Sequence, residues 1–203
     1  LITKHYLLPE KKAGISDWQN SNWQKLAIAQ KINETASSRC VGLVLETRPD
    51  EITQHSAIDL RRLGATKIQL GVQALDDQIL KLNRRGHGVA ETKQAFAILR
   101  QLGFKLHVHW MANLYGRTVK EDQQDFLKLF TSKDLRPDEL KIYPCSLLET
   151  APLMQYFKEG KWRPYDYAEL LAITTFTLKH TPAYCRITRM LRDIPAQDIV
   201  VGN

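Results

Sequence analysis

Two neighbouring segments decide the fold: VGLVLETRPDEI at residues 41–52 and KIQLGVQALDDQILKLNRRGH at residues 67–87. Their apolar, β-rich runs, Gly42–Leu45 and Lys67–Leu70, are separated by a helical pattern at His55–Leu63. A strand, a helix and a second strand in this order are typical of a parallel sheet, which binds ligands at the carboxyl ends of its strands. We therefore predict a ligand site at the polar residues that follow the two runs, which are Glu46, Thr47, Arg48 and Gln73.

The same pattern of strand and helix recurs over residues 41–203, which we expect to form one domain. Residues 104–111 and 139–144 have the composition of strands that precede helices, and residues 185–191 have that of a last strand. Residues 1–40 are irregular except for one helical pattern. Beyond the helix between the first two strands, helices are predicted at Trp23–Thr35, Val89–Leu102, Lys120–Phe130, Pro152–Glu159 and Tyr165–Lys179.

The strand ends distinguish between two kinds of parallel sheet. A dinucleotide-binding sheet carries a glycine-rich phosphate loop after a strand, and the sequence contains neither GxGxxG nor GxxxxGKS/T. Each predicted strand ends instead in polar side chains, which suit the lumen of a barrel. The sequence therefore predicts an α/β fold in which parallel strands form part of a barrel.

Composition limits the kinds of partner. The net charge of +7 and a pI of about 9.3 favour a polyanionic partner such as nucleic acid. No apolar run approaches the roughly 18–20 residues that span a bilayer, so we expect no membrane partner. Cys40, Cys145 and Cys185 are odd in number and widely spaced, which argues against a disulfide framework and favours a reducing, cytoplasmic setting.

Three polar residues near the first strand ends are candidates for ligand binding. Glu46 and Arg48 lie two positions apart on a strand end and so share a face, where they would bind the amine and the carboxylate of an amino-acid-like ligand. A simple ion pair between the two is an equal alternative. Gln73 suits a hydrogen bond to a ribose or a base, or else one to a neighbouring loop.

The next strands carry two polar pairs. His107 and His109 share a face and are able to bind a metal, but no Asp, Glu or Cys nearby completes a ligand set, so we expect no metal site. Lys141 and Tyr143 share a face opposite Ile142. Such a pair binds an anion or relays a proton, although strand alternation alone produces the same pattern.

Two basic segments are candidates for binding phosphate. NRRGHGV, at residues 83–89, is a glycine-containing turn before a helix, and CRITRMLRDIP, at residues 185–195, is strand-like. Each segment would face RNA or, alternatively, form a solvated surface. The candidate residues are Arg84, Arg85, His87, Arg186, Arg189 and Arg192.

Taken in order, six motifs resemble one protein family over residues 39–203. They are ETRPD, GVQ, NRRGH, His109 with Met111, LRPDELKIYP and RDIP. The series is similar to the catalytic subunit of Elongator and its bacterial and archaeal single-chain relatives, which are radical S-adenosylmethionine (SAM) enzymes that modify tRNA. The resemblance implies a (β/α)6 partial barrel and a reaction that builds 5-carboxymethyluridine at the tRNA wobble position from acetyl-CoA, with SAM and a 4Fe-4S cluster.

The resemblance also implies roles for single residues. Lys141 and Tyr143 would be catalytic, close to the target uridine, and the six basic candidates would contact tRNA. The residues that would bind SAM are Glu46, Arg48, Gln73 and His109.

The family's three-cysteine cluster motif belongs before this segment and does not occur in residues 1–203. We therefore expect a piece of a longer enzyme, with the cluster ligands and an acetyltransferase domain outside it; a relative without a cluster is the alternative. Two other functions stay open, a non-catalytic tRNA-binding module and a radical SAM enzyme for a small molecule. The expected partners are tRNA and acetyl-CoA, with a homodimer or accessory subunits left open and no DNA.

Overall fold

A computed structural model describes residues 22–191 and 199–201 of the chain, so Arg192 lies outside the described residues. Five strands form one parallel sheet in the order β1-β2-β3-β4-β6, and β5 pairs with β7 in an antiparallel ribbon. The strands are β1 (Val44–Thr47), β2 (Lys67–Gln73), β3 (Lys105–Ala112), β4 (Glu139–Pro144), β5 (Leu147–Leu148), β6 (Arg186–Arg189) and β7 (Ile199–Val201). The prediction of an α/β fold with parallel strands is confirmed.

Helices connect the strands of the sheet. They are α1 (Trp23–Thr35), α2 (Gln54–Arg62), α3 (Asp77–Leu82), α4 (Val89–Gln101), α5 (Val119–Thr131), α6 (Leu153–Lys158) and α7 (Tyr167–His180), with a 3-10 turn at Pro49–Glu51. Capping boxes begin α2, α5 and α7, where Thr53, Thr118 and Asp166 each accept a hydrogen bond from the third residue of the helix. None of the helices in the described part of the chain is long and apolar enough to cross a bilayer.

The structure confirms the predicted helices to within two residues at each end. The helices before β2 and β3 stop at Gly64 and Gly103, whose φ angles of +91° and +74° lie in the left-handed region that glycine adopts without strain. Sequence analysis missed α3 and the β5–β7 ribbon; β2 spans the whole segment KIQLGVQ, three residues beyond the apolar run Lys67–Leu70.

The two faces of the sheet differ in chemistry. The side chains that face the helices are apolar and fully or almost fully buried; they include Ile68, Leu70, Leu106, Val108, Trp110, Leu140 and Ile142. The alternate positions of β2, β3 and β4 carry polar side chains on the opposite face. The helical side therefore contains the hydrophobic core, and the other side forms a polar lumen.

One carboxylate on α5 holds the ends of two strands in place. Asp125, which is 1% exposed, accepts hydrogen bonds from the backbone N–H of Leu75 just beyond β2, at 3.0 and 3.1 Å, and from Nε1 of Trp110 on β3, at 3.0 Å. The buried Arg117 guanidinium pairs with the same carboxylate at 2.8 Å. Asp125 thus fixes the segment that follows Gln73.

Replacing Asp125 by alanine is expected to lower the free energy of unfolding by about 3–5 kcal/mol, because the buried Arg117 guanidinium keeps only the more distant carboxylate of Asp76, at 3.7 Å. Chemical denaturation followed by circular dichroism measures the change. Asp134→Ala is the matched control, since the Asp134–Lys93 ion pair is half exposed at 3.4 Å and its loss should cost less than about 1 kcal/mol. Equal losses in the two variants would contradict the role given to Asp125.

Candidate functional site

The carboxyl ends of the parallel strands surround a cavity of about 600 Å³. Its walls bring together all six residues predicted to bind the cofactor or to be catalytic: Glu46, Arg48, Gln73, His109, Lys141 and Tyr143. Arg85 and Arg189, which sequence analysis assigned to a tRNA-facing surface, line the same cavity. The geometry therefore gathers the candidates at one place, while their individual roles stay predictions.

The cavity is electropositive. Its described walls carry Arg48, Arg85, Lys141 and Arg189 against a single carboxylate, Glu46, while Asp50 and Glu51 pair with Arg48 at the cavity edge. Burial, aided by the charges of Arg189 and Lys67, lowers the pKa of Lys141, although Glu46 opposes the shift. A surplus of positive charge in a concave site favours an anionic or carboxylate-bearing ligand.

Arg48 does not form the ion pair with Glu46 that was the alternative interpretation of the strand end. Its guanidinium pairs with Asp50, through two hydrogen bonds, and with Glu51 at 3.3 Å. Burial disfavours ionisation of Asp50, but its hydrogen bond and charge interaction with Arg48 outweigh that effect, and the pKa of Asp50 is lowered. Arg48 is thus held at the cavity edge, and Glu46 is left to face the lumen.

A layer of polar side chains joins several residues of the cavity wall through a residue that does not itself line the cavity. Gln69 Oε1, in the middle of β2, lies 2.6 Å from Lys141 Nζ and 2.8 Å from His109 Nε2. His109 Nδ1 lies 3.6 Å from Glu46 Oε1, and the imidazole meets the Tyr143 ring edge-on at 5.8 Å. Four of the predicted site residues are therefore connected through this layer.

A second polar layer lies towards the amino ends of the strands. Lys67 Nζ pairs with Glu139 Oε2 at 2.6 Å, and that oxygen is 3.4 Å from Nδ1 of His107. The other ring nitrogen of His107 is 2.8 Å from Thr188 Oγ1. Burial lowers the pKa of His107 to about 4, so the ring is neutral at pH 7. His107 belongs to this deeper layer and does not line the cavity.

Gln73 and Arg85 carry polar atoms that lack partners. Gln73 has a φ of +68°, and its buried Oε1 has no hydrogen-bond partner among the described residues. Arg85 donates from one terminal nitrogen to the carbonyl of Gly71 at 3.1 Å, while its buried Nε lacks a partner there. A Cβ on Gly71 would lie 3.2 Å from Gln73 Nε2 and 3.3 Å from Arg85, so glycine lets these two groups reach the cavity. Unpaired buried polar atoms in a cavity wall suit a hydrogen-bonding ligand.

His87 lies away from the surface on which sequence analysis placed it. Its side chain is 0% exposed, with Nε2 3.2 Å from the Val72 carbonyl and Nδ1 3.8 Å from Asp50 Oδ1. Burial lowers its pKa, so the ring is neutral at pH 7. The imidazole tethers the glycine-containing turn to β2 and does not face solvent in this structure.

The other basic candidates do not form one patch. Arg84 is exposed beside the carboxyl edge of the sheet, with a φ of +54°. Arg186 begins β6 at the opposite, amino edge, whereas Arg189 ends the same strand in the cavity wall. Arg192 lies outside the described residues.

Comparison with known proteins places the chain in a family. Residues 20–130 match the radical SAM superfamily, and residues 137–203 match the radical SAM C-terminal domain. The chain belongs to the radical SAM superfamily. Enzymes of this superfamily use SAM and a 4Fe-4S cluster.

The sequence is similar to tRNA-modifying proteins. It is 40% identical over 179 residues to the tRNA uridine(34) acetyltransferase of Methanocaldococcus infernus, covering 88% of this chain and 34% of that protein. It is 32% identical over 170 residues to Elongator complex protein 3 of Saccharomyces cerevisiae, covering 84% of this chain and 30% of that protein. The resemblance drawn from the motifs is confirmed, and the chain spans about a third of the length of these relatives.

Solved structures agree with this result. An Elp3 structure from the archaeon Methanocaldococcus infernus, with an N-terminal deletion, matches with a TM-score of 0.83 at 40% identity, over 87% of this chain and 41% of that chain. Coproporphyrinogen III oxidase (HemN) of Escherichia coli matches with a TM-score of 0.56 at 17% identity, over 79% of this chain and 37% of that chain. The second similarity shows the radical SAM fold alone.

The residues fit one of the family's two cofactors. The unpaired Gln73 Oε1, the close approach allowed at Gly71 and a volume of about 600 Å³ suit a ligand of the size and polarity of SAM. The described residues contain no group of three His, Cys, Asp or Glu side chains able to hold a metal ion. Cys145 follows β4 and Cys185 precedes β6, at opposite edges of the sheet, and burial raises their thiol pKa values to about 11 and about 12. A 4Fe-4S cluster does not fit these cysteines.

Sequence analysis missed one residue that contacts the cavity wall, Gln69, which lies beside His109 and Lys141. Gln69 lies inside an apolar run and not at a strand end, so it is not among the polar strand ends that predicted the site. The alternation of Lys67, Gln69 and Gly71 with Ile68 and Leu70 is the signal that would have found it, since it places Gln69 on the polar face.

A second buried carboxylate on α5 lies behind the cavity. Asp122 accepts hydrogen bonds from the backbone N–H of Asn113, just beyond β3, at 2.7 Å, and from the Tyr165 hydroxyl at 2.8 Å. Burial raises the pKa of Asp122 from 3.8 to about 6, although both hydrogen bonds oppose the shift. The folded chain therefore keeps the carboxyl proton up to a higher pH than the unfolded chain does.

The contribution of Asp122 to stability is expected to fall as the pH rises from 4 to 7. The pKa of Asp122 is higher in the folded than in the unfolded chain, so the folded chain binds more protons between pH 4 and pH 7. This proton binding stabilises the folded chain at pH 4, and the stabilisation is lost as Asp122 ionises. Denaturation of the wild type and of Asp122→Asn at several pH values measures this contribution to stability. The difference in unfolding free energy should shrink by about 1–3 kcal/mol between pH 4 and pH 7. A constant difference would refute the shifted pKa.

Proposed function

We propose that this chain is the radical SAM part of an enzyme that modifies the wobble uridine of tRNA. The observation that carries the proposal is the electropositive cavity at the strand ends, which gathers residues of five of the six motifs similar to those of Elongator-type enzymes; the sixth, RDIP, lies outside the described residues. Relatives named tRNA uridine(34) acetyltransferase, at 40% identity, support the substrate. Formation of 5-carboxymethyluridine, acetyl-CoA as the co-substrate and a domain spanning residues 41–203 belong to the same proposal, as does a cytoplasmic location.

The cavity would bind SAM through complementary polar groups. The Glu46 carboxylate suits an ammonium or hydroxyl donor, Arg48 suits the carboxylate of an amino acid, and the unpaired Gln73 Oε1 accepts from a ribose or base. His109 contributes a wall of the same pocket. When bound, SAM supplies radical chemistry in this superfamily.

Lys141 and Tyr143 would bind and move protons beside the target base. Both line the cavity, and burial lowers the pKa of Lys141, so its ammonium releases a proton more readily than that of an ordinary lysine. The Tyr143 ring packs edge-on against His109, which holds its position in the cavity. Such a pair suits proton transfer beside a base bound in the cavity.

The net charge of +7 would attract the tRNA backbone. Arg84 and Arg189 support this role, because one is exposed beside the carboxyl edge and the other lines the cavity. Arg85 would contact an anionic group inside the cavity. Arg186 would bind RNA only along the opposite edge, and the buried ring of His87 supports a structural role instead.

Deleting the gene for this protein is expected to remove carboxymethyl-type modification from wobble uridines, which mass spectrometry of tRNA nucleosides measures. Wild-type protein should restore the modification and Lys141→Ala should not, because the variant lacks the amine in the cavity. Lys179→Ala is the matched control, since Lys179 is exposed on the last turn of α7, and it should restore the modification. Wobble uridines that are unchanged by the deletion would refute the proposed function.

Gln73→Met is expected to weaken binding of S-adenosylhomocysteine about tenfold, because methionine keeps the length of the side chain and removes the accepting oxygen. Isothermal titration calorimetry measures the affinity without any need for the cluster. Gln101→Met, on the exposed end of α4, is the control and should bind as the wild type does. An unchanged affinity in Gln73→Met would place the cofactor elsewhere.

A further inference from the structure

We propose that Gln69 is a positioning residue, which holds the amine of Lys141 in the cavity and fixes His109 as the tautomer protonated at Nε2. The part concerning catalysis rests on the proposed function; the part concerning the tautomer does not. The proposal rests on the position of one oxygen, Gln69 Oε1, which lies 2.6 Å from Lys141 Nζ and 2.8 Å from His109 Nε2.

The lysine decides which way the Gln69 amide points. An ammonium group donates hydrogen bonds and accepts none, so the amide atom beside Lys141 Nζ must be the oxygen. Reversing the amide would put its NH2 group against an ammonium at 2.6 Å, two donors in contact. The orientation of this side chain therefore follows from chemistry, which is seldom true of an isolated glutamine.

The oriented oxygen then decides the tautomer of the histidine. An amide oxygen only accepts, so His109 Nε2, 2.8 Å away, must carry the proton. The second ring nitrogen, Nδ1, is thereby turned towards the Glu46 carboxylate at 3.6 Å. Through Gln69, a residue on β4 sets the protonation pattern of a residue on β3.

Position in the fold makes Gln69 suited to this task. It lies within β2, paired on either side with β1 and β3, so its backbone is held by the sheet and not by a loop. A rigid oxygen restrains the flexible four-carbon chain of Lys141, whose pKa burial already lowers. The amine is thus presented to the cavity in one place.

The deeper polar layer also contains a histidine that lies between an oxygen atom and a carboxylate. His107 places Nε2 2.8 Å from Thr188 Oγ1 and Nδ1 3.4 Å from a glutamate, Glu139. Thr188 Oγ1 also lies 3.2 Å from the Leu140 carbonyl, so its single hydroxyl proton is shared between that carbonyl and His107 Nε2 as possible acceptors. Two histidines on one strand thus each place Nε2 beside an oxygen atom and Nδ1 towards a carboxylate.

The tautomer is tested by NMR of the ¹⁵N-histidine-labelled chain at pH 8, with the His109 signal assigned by its loss in His109→Asn. We expect a proton on Nε2 in the wild type. Gln69→Leu should redistribute the proton between the two nitrogens, whereas Gln69→Glu, which keeps an accepting oxygen, should preserve it on Nε2. An unprotonated Nε2 in the wild type, or an unchanged signal in Gln69→Leu, would overturn the proposal.

The effect on catalysis is measured by wobble-uridine modification in cells that carry each variant. Gln69→Leu should reduce the modification about tenfold or more, while the affinity for S-adenosylhomocysteine changes less than about threefold, since the residue positions groups and does not bind SAM. Gln69→Glu should recover most of the loss, and Gln101→Leu is the control on the exposed end of α4. Loss of modification with Gln69→Glu equal to that with Gln69→Leu would overturn the positioning role.

Failure of the two proposals is distinguishable. If the wild type modifies no wobble uridine, the proposed function fails, and the NMR measurement still decides whether Gln69 sets the tautomer of His109. If Gln69→Leu does not fold, the proposal is tested by the protonation of His109 Nε2 in the wild type and by the level of wobble-uridine modification in Gln69→Glu.

Discussion

The fold depends on the pairing of polar side chains inside the sheet's lumen. A buried polar group without a partner costs about 1–3 kcal/mol, so a lumen lined with Lys, Glu, His and Gln is stable only if the strands are in register. The parallel pairing of β2, β3 and β4 provides that register, because it brings Lys67 to Glu139 and Gln69 to Lys141 across the intervening strand. A one-residue shift of any strand would turn these groups into the apolar core.

Much of this arrangement could be predicted from periodicity. Apolar runs of β-branched residues and glycine-terminated helices predicted the strands of the sheet and most of the helices. Polar residues at the strand ends predicted the cavity, because parallel strands bring their carboxyl ends to one edge. The family followed from the order of the motifs and not from any one of them, since each motif is short.

The features that sequence analysis missed or misplaced depend on tertiary contacts, which a sequence does not show. In the short helix α3 the two buried residues, Ile79 and Leu80, are adjacent, so their spacing shows no helical period. In NRRGHGV, three basic residues look alike, yet Arg84 is exposed, Arg85 lines the cavity and the side chain of His87 is buried. Which of them is buried depends on the path of the turn over β2, where the Val72 carbonyl and Asp50 meet the imidazole.

The three cysteines differ in exposure, and this difference makes one of them suitable for labelling with a dye. Of its three cysteines, Cys40 is exposed, Cys145 is half-buried and Cys185 is buried. The raised pKa values of the latter two keep them as unreactive thiols at neutral pH. A maleimide dye would therefore attach at Cys40, whose backbone N–H is anchored by Asn33 at 2.8 Å. Energy transfer from that dye to a labelled RNA would report distance without any engineering of the chain.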